Sequence, residues 1–230
     1  SPFGDITTLM PWIAGKAEFF DFFYLFPASF LGWLVTGWLL SFSVPEGKPL
    51  FDANTEERVR VLKGGRTVIY LGAFTIFSAV MCQQVFGIPP MWGMMFGFSL
   101  LKLYSYQLKR SHDEELKTFI AISKIEHDTL LFFFGILAAV GGLHYVGYLD
   151  LAVKLYDTAG ATAVNIGVGF LSAFIDNVPV MSAVLKASPN MGVDQWLLVT
   201  MTAGIGGSLI SFGSAAGVGV MGKLRGIYTF

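Results

Sequence analysis

The chain has 230 residues, of which 54% are hydrophobic and 13% are charged, and its mean hydropathy is +0.63. Soluble domains carry about 25% charged residues, so this composition excludes an ordinary soluble globule and indicates an integral membrane protein in contact with a lipid bilayer. A formal net charge of −1 offers no basic surface, so we expect no nucleic-acid partner.

A membrane helix needs about 20 apolar residues, and five uncharged runs of the chain come close to or exceed this length. The second run is too long for one helix and contains Gly87, Pro89 and Pro90, so we expect two helices and a tight turn, the second helix ending near Lys102. Residues 150–157, after the third run, are expected at the membrane surface. The runs comprise residues 22–42, 67–101, 129–149, 158–175 and 195–222.

Basic residues set the orientation, because cytoplasmic loops are enriched in Lys and Arg. Two charged loops, residues 43–66 and 103–128, are separated by two crossings and therefore share a side. Together with Lys102 they hold ten of the 15 basic residues, so we expect that side to be cytoplasmic. The second loop includes an amphipathic stretch, residues 114–125, that is expected along the membrane interface.

The last run is unusual because it is too long and too rich in glycine. As a straight helix, residues 195–222 would extend about 42 Å, whereas the hydrocarbon core is about 30 Å thick. Glycine inside a helix costs up to about 1 kcal/mol, and the cluster favours a break around residues 213–217. Close helix packing through the GxxxG spacing of Gly213 and Gly217 explains the glycines equally well.

A second unusual segment contains Asp176, Asn177 and Pro179 within an apolar run. A carboxylate deep in a membrane costs a few kcal/mol and by default marks a functional position. Pro179 lacks a backbone donor and disfavours helical angles at Val178, so we expect a non-helical patch there. A re-entrant hairpin over about residues 158–187 fits these features. The alternative is one kinked crossing in which Asp176 caps the following half-helix.

Sidedness separates these two alternatives. With a hairpin, twelve basic residues lie inside, and Lys16, Lys154 and Lys186 lie outside. A plain crossing reverses the last three basic positions, Lys186, Lys223 and Arg225, and weakens the asymmetry, so the charge distribution favours the hairpin.

The two ends of the chain suggest an inverted repeat. SPFGDITTL at the start aligns with ISFGSAAGV near the end, and the predicted topology gives the two segments opposite directions. Such pairs of broken helices are typical of secondary transporters that bind their cargo near the midplane. Asp5 would then lie within the membrane, although it could also cap a helix near the surface. A charged amine at Ser1 would be costly there, so we expect that an N-terminal half of the protein precedes this chain.

Three motifs in this order, SPFGDITT, FIDNVP and GGSLISFGSAAGVGVMG, resemble the NhaD-type sodium/proton antiporters of the ion transporter superfamily. The resemblance covers nearly the whole chain. It implies two inverted repeats, each with a re-entrant hairpin and a broken helix whose unwound parts meet at the ion site. By this match, residues 1–8 belong to the first broken helix, Asp176, Asn177 and Pro179 to the second hairpin tip, and residues 211–217 to the second broken helix. The first hairpin is absent here.

The predicted organisation is the second half of an all-α polytopic inverted-repeat transporter. Residues 1–43 would end the first repeat, residues 44–66 would form a cytoplasmic linker, and residues 67–230 would form the second repeat. Within that repeat we expect the hairpin at about 158–187 and the broken helix at about 195–222. The expected location is a bacterial inner membrane, and a homodimer is left open.

Hard cations take oxygen ligands, which the proposed site offers in quantity. A sodium ion would bind between Asp176, Asn177 and Asp5. Desolvation favours the protonated form of a buried carboxylate and a nearby cation favours its ionised form, so cation binding would expel the proton. The remaining candidate oxygens and the expected unwound backbone positions are Thr7, Thr8, Ser211, Ser214, Gly4, Pro179, Gly213 and Gly217.

The first functional hypothesis is therefore exchange of sodium or lithium for protons, with these ions as cargo and no resident cofactor. A sodium-coupled carrier for dicarboxylate or arsenite is the alternative within the superfamily, but a carboxylate at each unwound segment would repel an anion. An intramembrane enzyme using Asp176 and Asp5 as a carboxylate pair is a third hypothesis. Such an enzyme would need both residues on adjacent helices. We favour transport over this hypothesis and therefore expect no catalytic residue.

Overall fold

The computed structural model describes residues 5–43, 64–112 and 127–210, and every regular element in these ranges is helical. The elements are α1 (Ile6–Ile13), a 3₁₀ helix (Asp21–Tyr24), α2 (Leu25–Ser41), α3 (Gly65–Gln84), α4 (Met91–His112), α5 (His127–Tyr145), α6 (Leu149–Ala159), α7 (Ala161–Ser172), α8 (Asn177–Ala187) and α9 (Val193–Gly206). The predicted all-helical architecture is confirmed for these parts of the chain.

Two helical segments in the described ranges are long and apolar enough to cross a bilayer, Asp21–Ser41 and Gly65–Gln84. Helices α5 and α6 together make a third candidate span, bent by 74°. Large apolar side chains on α2 are exposed, among them Phe26 at 67% and Trp33 at 68%, which suits a surface that faces lipid. The chain is an integral membrane protein, as its composition predicts.

The chain packs as two compact units, one of Ser1–Phe42 with His127–Phe230 and the other of Ser43–Glu126. In the second unit α3 packs against α4, and they are joined by a turn in which Gly87 has a φ of +63°. A Cβ on Gly93 would lie 2.4 Å from the backbone nitrogen of Ala79, so glycine lets the two backbones touch. The predicted helix–turn–helix is confirmed.

The predicted end of α4 near Lys102 is wrong, because the helix continues to His112. The apolar run ends at Lys102, but no glycine or proline follows before His112, so nothing in the backbone stops the helix there. With its polar C-terminal half, α4 does not meet the hydropathy of a membrane span that α3 meets.

The segment after α5, which is expected at the membrane surface, forms a helix of its own. Residues 149–159 form helix α6, and one face of this helix is buried through Leu149 and Tyr156. Gly147 with φ +85° precedes α6, and Gly160 with φ +81° follows it, so glycines in the left-handed region separate it from its neighbours. The short alternation of apolar and charged residues hid this amphipathic helix.

Helix α8 lies at the centre of the first unit, where it contacts α1, α5, α6, α7 and α9. Most of its N-terminal two turns is buried, and Met181 is fully buried together with Val199 and Ala203 of α9. Helix α7 packs along α9, and a Cβ on Gly206 would lie 1.9 Å from the carbonyl oxygen of Gly169. Close packing is therefore one function of the glycines in the last run.

The helical part of that run ends earlier than predicted. Helix α9 stops at Gly206, and residues 207–210 form a turn, whereas the break was expected around residues 213–217, which lie outside the described residues. Two glycines, Gly204 and Gly206, fall in its final turn and Gly207 is its C-cap, so the helix propensity is low before the predicted position is reached. The amphipathic stretch at 114–125 also lies outside the described residues.

Candidate functional site

Asp5 begins helix α1 as its N-cap residue, with an extended backbone of φ −156° and ψ 158°. One carboxylate oxygen, Oδ1, accepts a hydrogen bond of 2.8 Å from the backbone N–H of Ile6. Its carbonyl oxygen accepts from the backbone of Thr8 and Leu9 at 3.2 and 3.1 Å, and from the Thr8 hydroxyl at 2.7 Å. Locally, Asp5 is the helix cap that sequence reasoning left as an alternative.

The second carboxylate oxygen of Asp5 faces the interior of the unit. Asp5 Oδ2 accepts from the hydroxyl of Thr7 and, at 3.3 Å, from the side-chain amide of Asn177. Thr7 is 1% exposed and Asn177 is 8% exposed. These three residues, which we call the Asp5 cluster, join the start of α1 to the start of α8, across 172 positions of sequence.

Asp176 occupies the N-cap position of α8, after the turn at residues 173–175 that ends α7. It is half-buried, its backbone is extended with ψ 143°, and its side chain makes no capping hydrogen bond. The next residue, Asn177, donates to Asp5 Oδ2 at 3.3 Å, so the start of α8 brings Asp176 close to Asp5. Asp176 therefore stands beside the Asp5 cluster, and its carboxylate interacts with the backbone N–H of Asn177 but caps no later N–H group of the helix.

The expected non-helical patch at Val178 and Pro179 is not observed. Both residues lie inside α8, which begins at Asn177, and the break lies just before it. Proline is tolerated there because the first backbone N–H groups of a helix have no intrahelical partner to lose. Pro179 thus marks the beginning of the second half-helix rather than its interruption.

Helix α9 closes the cluster on a third side through Gly204. A Cβ built on Gly204 would lie 3.4 Å from Thr7 Oγ1 and 3.9 Å from Asp5 Oδ2. Two helix N-termini, those of α1 and α8, thus meet the last turn of α9 at the carboxylates. Carboxylate, amide and hydroxyl oxygens thus converge there, and oxygens of this kind are the ligands that hard cations take.

The structure brings some of the predicted site residues together and not others. Asp5, Thr7 and Asn177 come into contact and Asp176 adjoins them, whereas the hydroxyl of Thr8 bonds to a backbone carbonyl. Within the described ranges, no group of three or more His, Cys, Asp or Glu side chains could hold a metal ion. Five predicted positions lie outside the described residues, namely Gly4, Ser211, Gly213, Ser214 and Gly217.

Sequence reasoning overlooked a second polar group in the same unit, which we call the Asn165 cluster. Asn165 is fully buried on α7; its Oδ1 accepts from the Tyr156 hydroxyl at 2.8 Å, and its Nδ2 donates to the backbone and side-chain oxygens of Gln195, both at 3.0 Å. Gln195 also donates to Thr162 at 3.1 Å. The signal in the sequence is an asparagine inside an uncharged run. Such a residue can indicate an interhelical contact, because side-chain amides often form hydrogen bonds between helices in membrane bundles.

Comparisons with known proteins give one family and several close relatives. The profile of a family described as citrate transporter matches residues 1–204. The Na(+)/H(+) antiporters NhaD of Vibrio parahaemolyticus and Vibrio cholerae are each 42% identical to the chain, and that of Halomonas elongata is 40% identical, with the whole chain aligned in each case. The chain spans 61%, 53% and 51% of these relatives, respectively. No solved structure matches the chain.

Proposed function

We propose that this chain, which belongs to the citrate transporter family, forms the cation-binding half of a membrane antiporter that exchanges sodium or lithium for protons. The resemblance to the NhaD-type antiporters is confirmed by relatives of that name at 40–42% identity. One observation carries the proposal. The side chains of Asp5 and Asn177, from the two motifs FGDITT and FIDNVP, are in hydrogen-bond contact at 3.3 Å.

The chemistry of exchange follows from the two carboxylates. A carboxylate shielded from water takes up a proton readily, and a cation beside it favours the ionised form, so proton and cation compete. Asp5 has its charge partly used by the α1 N-terminus and by Thr7, whereas the Asp176 side chain has no capping bond. We assign the exchanged proton to Asp176 and part of the cation coordination to Asp5.

An anion carrier is the main alternative, and the description of the family raises it. Helix N-termini bind anions well, but the start of α1 already holds the carboxylate of Asp5 against the backbone N–H of Ile6. An incoming dicarboxylate would meet two like charges, Asp5 and Asp176, and like charges at short range are costly. We propose ion binding rather than an intramembrane carboxylate enzyme because the relatives at 40–42% identity are named as antiporters.

We further propose that α7 and α8 form the re-entrant hairpin of the second repeat. At 12 and 11 residues each helix is about 17 Å long, roughly half of the hydrocarbon core. Lys16 Nζ donates to Ser188 Oγ at 2.8 Å, so the end of α1 and the end of α8 lie together, as the outside placement of Lys16 and Lys186 requires. Cysteine labelling from either face checks this, and equal sidedness of Lys186 and Arg225 would refute the hairpin.

The expected partners remain proposals as well. The first hairpin and the rest of the inverted repeat would come from a preceding half of the protein, in keeping with the 51–61% of the relatives' length that the chain spans. Lipid would surround the exposed apolar helices, a homodimer is left open, and a bacterial inner membrane is the proposed location. Sodium, lithium and protons are cargo, with no resident cofactor. Reconstituted alone, the chain should not catalyse exchange.

A transport assay tests the function directly. The full-length protein is reconstituted into vesicles with an imposed pH gradient, and sodium, lithium, potassium, citrate and a dicarboxylate are added in turn. We expect sodium and lithium to dissipate the gradient and potassium and the carboxylates to have little effect. Uptake of citrate or dicarboxylate that depends on sodium, without cation-driven proton efflux, would replace antiport by anion transport.

A further inference from the structure

Gly204 is a residue of α9 that lies beside the Asp5 cluster, and sequence reasoning gave it no role beyond helix breaking or packing. In the described residues, the atoms that a Cβ at this position would meet are Thr7 Oγ1 at 3.4 Å and Asp5 Oδ2 at 3.9 Å. Both are oxygens of the proposed cation site. The position therefore faces the site itself rather than a neighbouring helix backbone.

Gly206, two positions further on, provides the contrast. A Cβ there would lie 1.9 Å from the Gly169 carbonyl oxygen, a distance that no side chain could tolerate without moving a helix. At Gly204 the distances are ordinary van der Waals contacts, so a methyl group would fit. Packing accordingly explains the glycine at 206 but leaves the glycine at 204 unexplained.

A methyl group at 204 would fit sterically but would compete with a bound ion. Hard cations bind oxygen at about 2.0–2.6 Å and need ligands on several sides. An ion coordinated by Thr7 Oγ1 and Asp5 Oδ2 on the side of α9 would fall within the space of that methyl group. Among the described residues, the bare Cα at Gly204 leaves this space open.

The backbone at Gly204 supplies a second argument. The N–H of Gly207 bonds to the Ala203 carbonyl and that of Ser208 bonds to the Ile205 carbonyl, so no backbone N–H in the described ranges bonds to the carbonyl of Gly204. Carbonyls at the C-terminal end of a helix carry partial negative charge and attract cations. The last turn of α9 is thus electrostatically suited to a cation beside the Asp5 cluster.

We propose that Gly204 is a specificity-determining residue, whose missing side chain leaves room for the transported cation beside Asp5 and Thr7. This inference rests on the proposed function for the identity of the cation. It adds that α9 helps the site to select cations by their size. A larger ion needs more of this room than a smaller one, so filling the space should discriminate against sodium more than against lithium.

The test compares Gly204→Ala with Gly167→Ala in the full-length protein. Gly167 lies inside α7, and a Cβ there meets no described atom within 4 Å, so it controls for the gain in helix propensity. Cation binding is read as the rise in melting temperature of the purified protein with sodium, lithium or potassium, and exchange is measured separately in vesicles. The melting temperature without cation reports whether each variant folds.

For Gly204→Ala we expect at least a tenfold rise in the sodium concentration that gives half-maximal stabilisation and at most a threefold rise for lithium. Gly167→Ala should stay within twofold of the unchanged protein for both ions. Equal sodium responses of Gly204→Ala and the unchanged protein would overturn the inference. It would also be overturned if none of the three cations raised the melting temperature of the unchanged protein. Sodium binding that Gly204→Ala weakens, without exchange by the unchanged protein, would support the inference and refute antiport.

Discussion

The Asp5 cluster with the adjoining Asp176 and the Asn165 cluster are two polar groups inside one helical unit, and they differ in how completely their hydrogen bonds are used. The side chain of Asn165 uses its oxygen once and its amide nitrogen twice, at 2.8–3.0 Å, and the residue is fully buried. Near Asp5, the carboxylate of Asp176 makes no capping bond and is half-buried. The Asn165 cluster is satisfied, whereas the carboxylate of Asp176, beside the Asp5 cluster, retains binding capacity.

This difference separates a structural role from a transport role. An uncharged group with all its bonds made stabilises one packing of α6, α7 and α9, and additional bonds from Thr202 to the Asn165 carbonyl and from Ser172 to the Ala203 carbonyl, both 2.8 Å, join α7 to α9. A charged group with capacity to spare can accept a proton or an ion in turn. Substitutions in the two clusters should accordingly affect different measurements.

The largest effect is expected for Asp176→Asn. The variant keeps the size of the side chain and one oxygen but cannot exchange a proton, so proton-coupled exchange should be abolished in vesicles. In the unchanged protein, raising the pH deprotonates the competing carboxylate and should strengthen apparent sodium affinity. In the variant this dependence should be largely lost.

Asp157→Asn is the matched control for this substitution. Asp157 is an exposed carboxylate on α6, and the same change there should leave both the rate of exchange and its pH dependence within twofold. If Asp176→Asn retains exchange that depends on pH, another group carries the proton and the assignment of the proton to Asp176 is contradicted.

Asp5→Asn should have an intermediate effect on the same cluster. Asparagine caps helices as well as aspartate does, so the bond to Ile6 and the start of α1 should persist while the charge is lost. We expect apparent sodium affinity to fall about tenfold, equivalent to roughly 1.4 kcal/mol, with the melting temperature almost unchanged. A lower melting temperature with normal sodium affinity would reduce Asp5 to a helix cap.

Asn165→Leu should have the opposite profile. It removes three hydrogen bonds and leaves Tyr156 and Gln195 without their amide partner. Hydrogen bonds between membrane helices are worth about 0.6 kcal/mol on average, so the free energy of unfolding should fall by about 2 kcal/mol. Sodium affinity of the folded fraction should stay within threefold. A tenfold loss of affinity at constant stability would break the distinction between the clusters.

Much of this fold follows from features that a sequence displays directly. The apolar run ending at Phe42 gave α2, and Gly87 with Pro89 and Pro90 gave the turn between α3 and α4, because run length and backbone restriction act locally. Asp176 is recognisable as a candidate site residue because a carboxylate in an apolar run is rare. Such signals depend on residue type and spacing alone.

The features that were missed depend on tertiary contacts. Pro179 reads as a helix breaker until the start of α8 is known, and then it is simply in the first turn. Asn165 carries no charge, so its importance appears only when Tyr156 and Gln195 are placed beside it. Gly204 and Gly206 are indistinguishable in the sequence, and only their different neighbours, Asp5 and Gly169, separate them.

The smallest expected effect is that of Tyr156→Phe, which tests the Asn165 cluster by a single bond. The change removes the hydroxyl that donates to Asn165 Oδ1 at 2.8 Å and keeps the ring that packs in the buried core of the unit. The amide of Asn165 remains bonded to Gln195, so only one interhelical bond is lost. We expect the free energy of unfolding to fall by about 0.6 kcal/mol, measured by thermal or denaturant unfolding of the full-length protein in detergent. Tyr148→Phe, at an exposed tyrosine just before α6, is the control and should have no measurable effect. If Tyr156→Phe destabilises the protein as much as Asn165→Leu, the cluster acts as one cooperative network. If it instead shifts sodium affinity, the Asn165 cluster belongs to the transport site and the contrast with the Asp5 cluster fails.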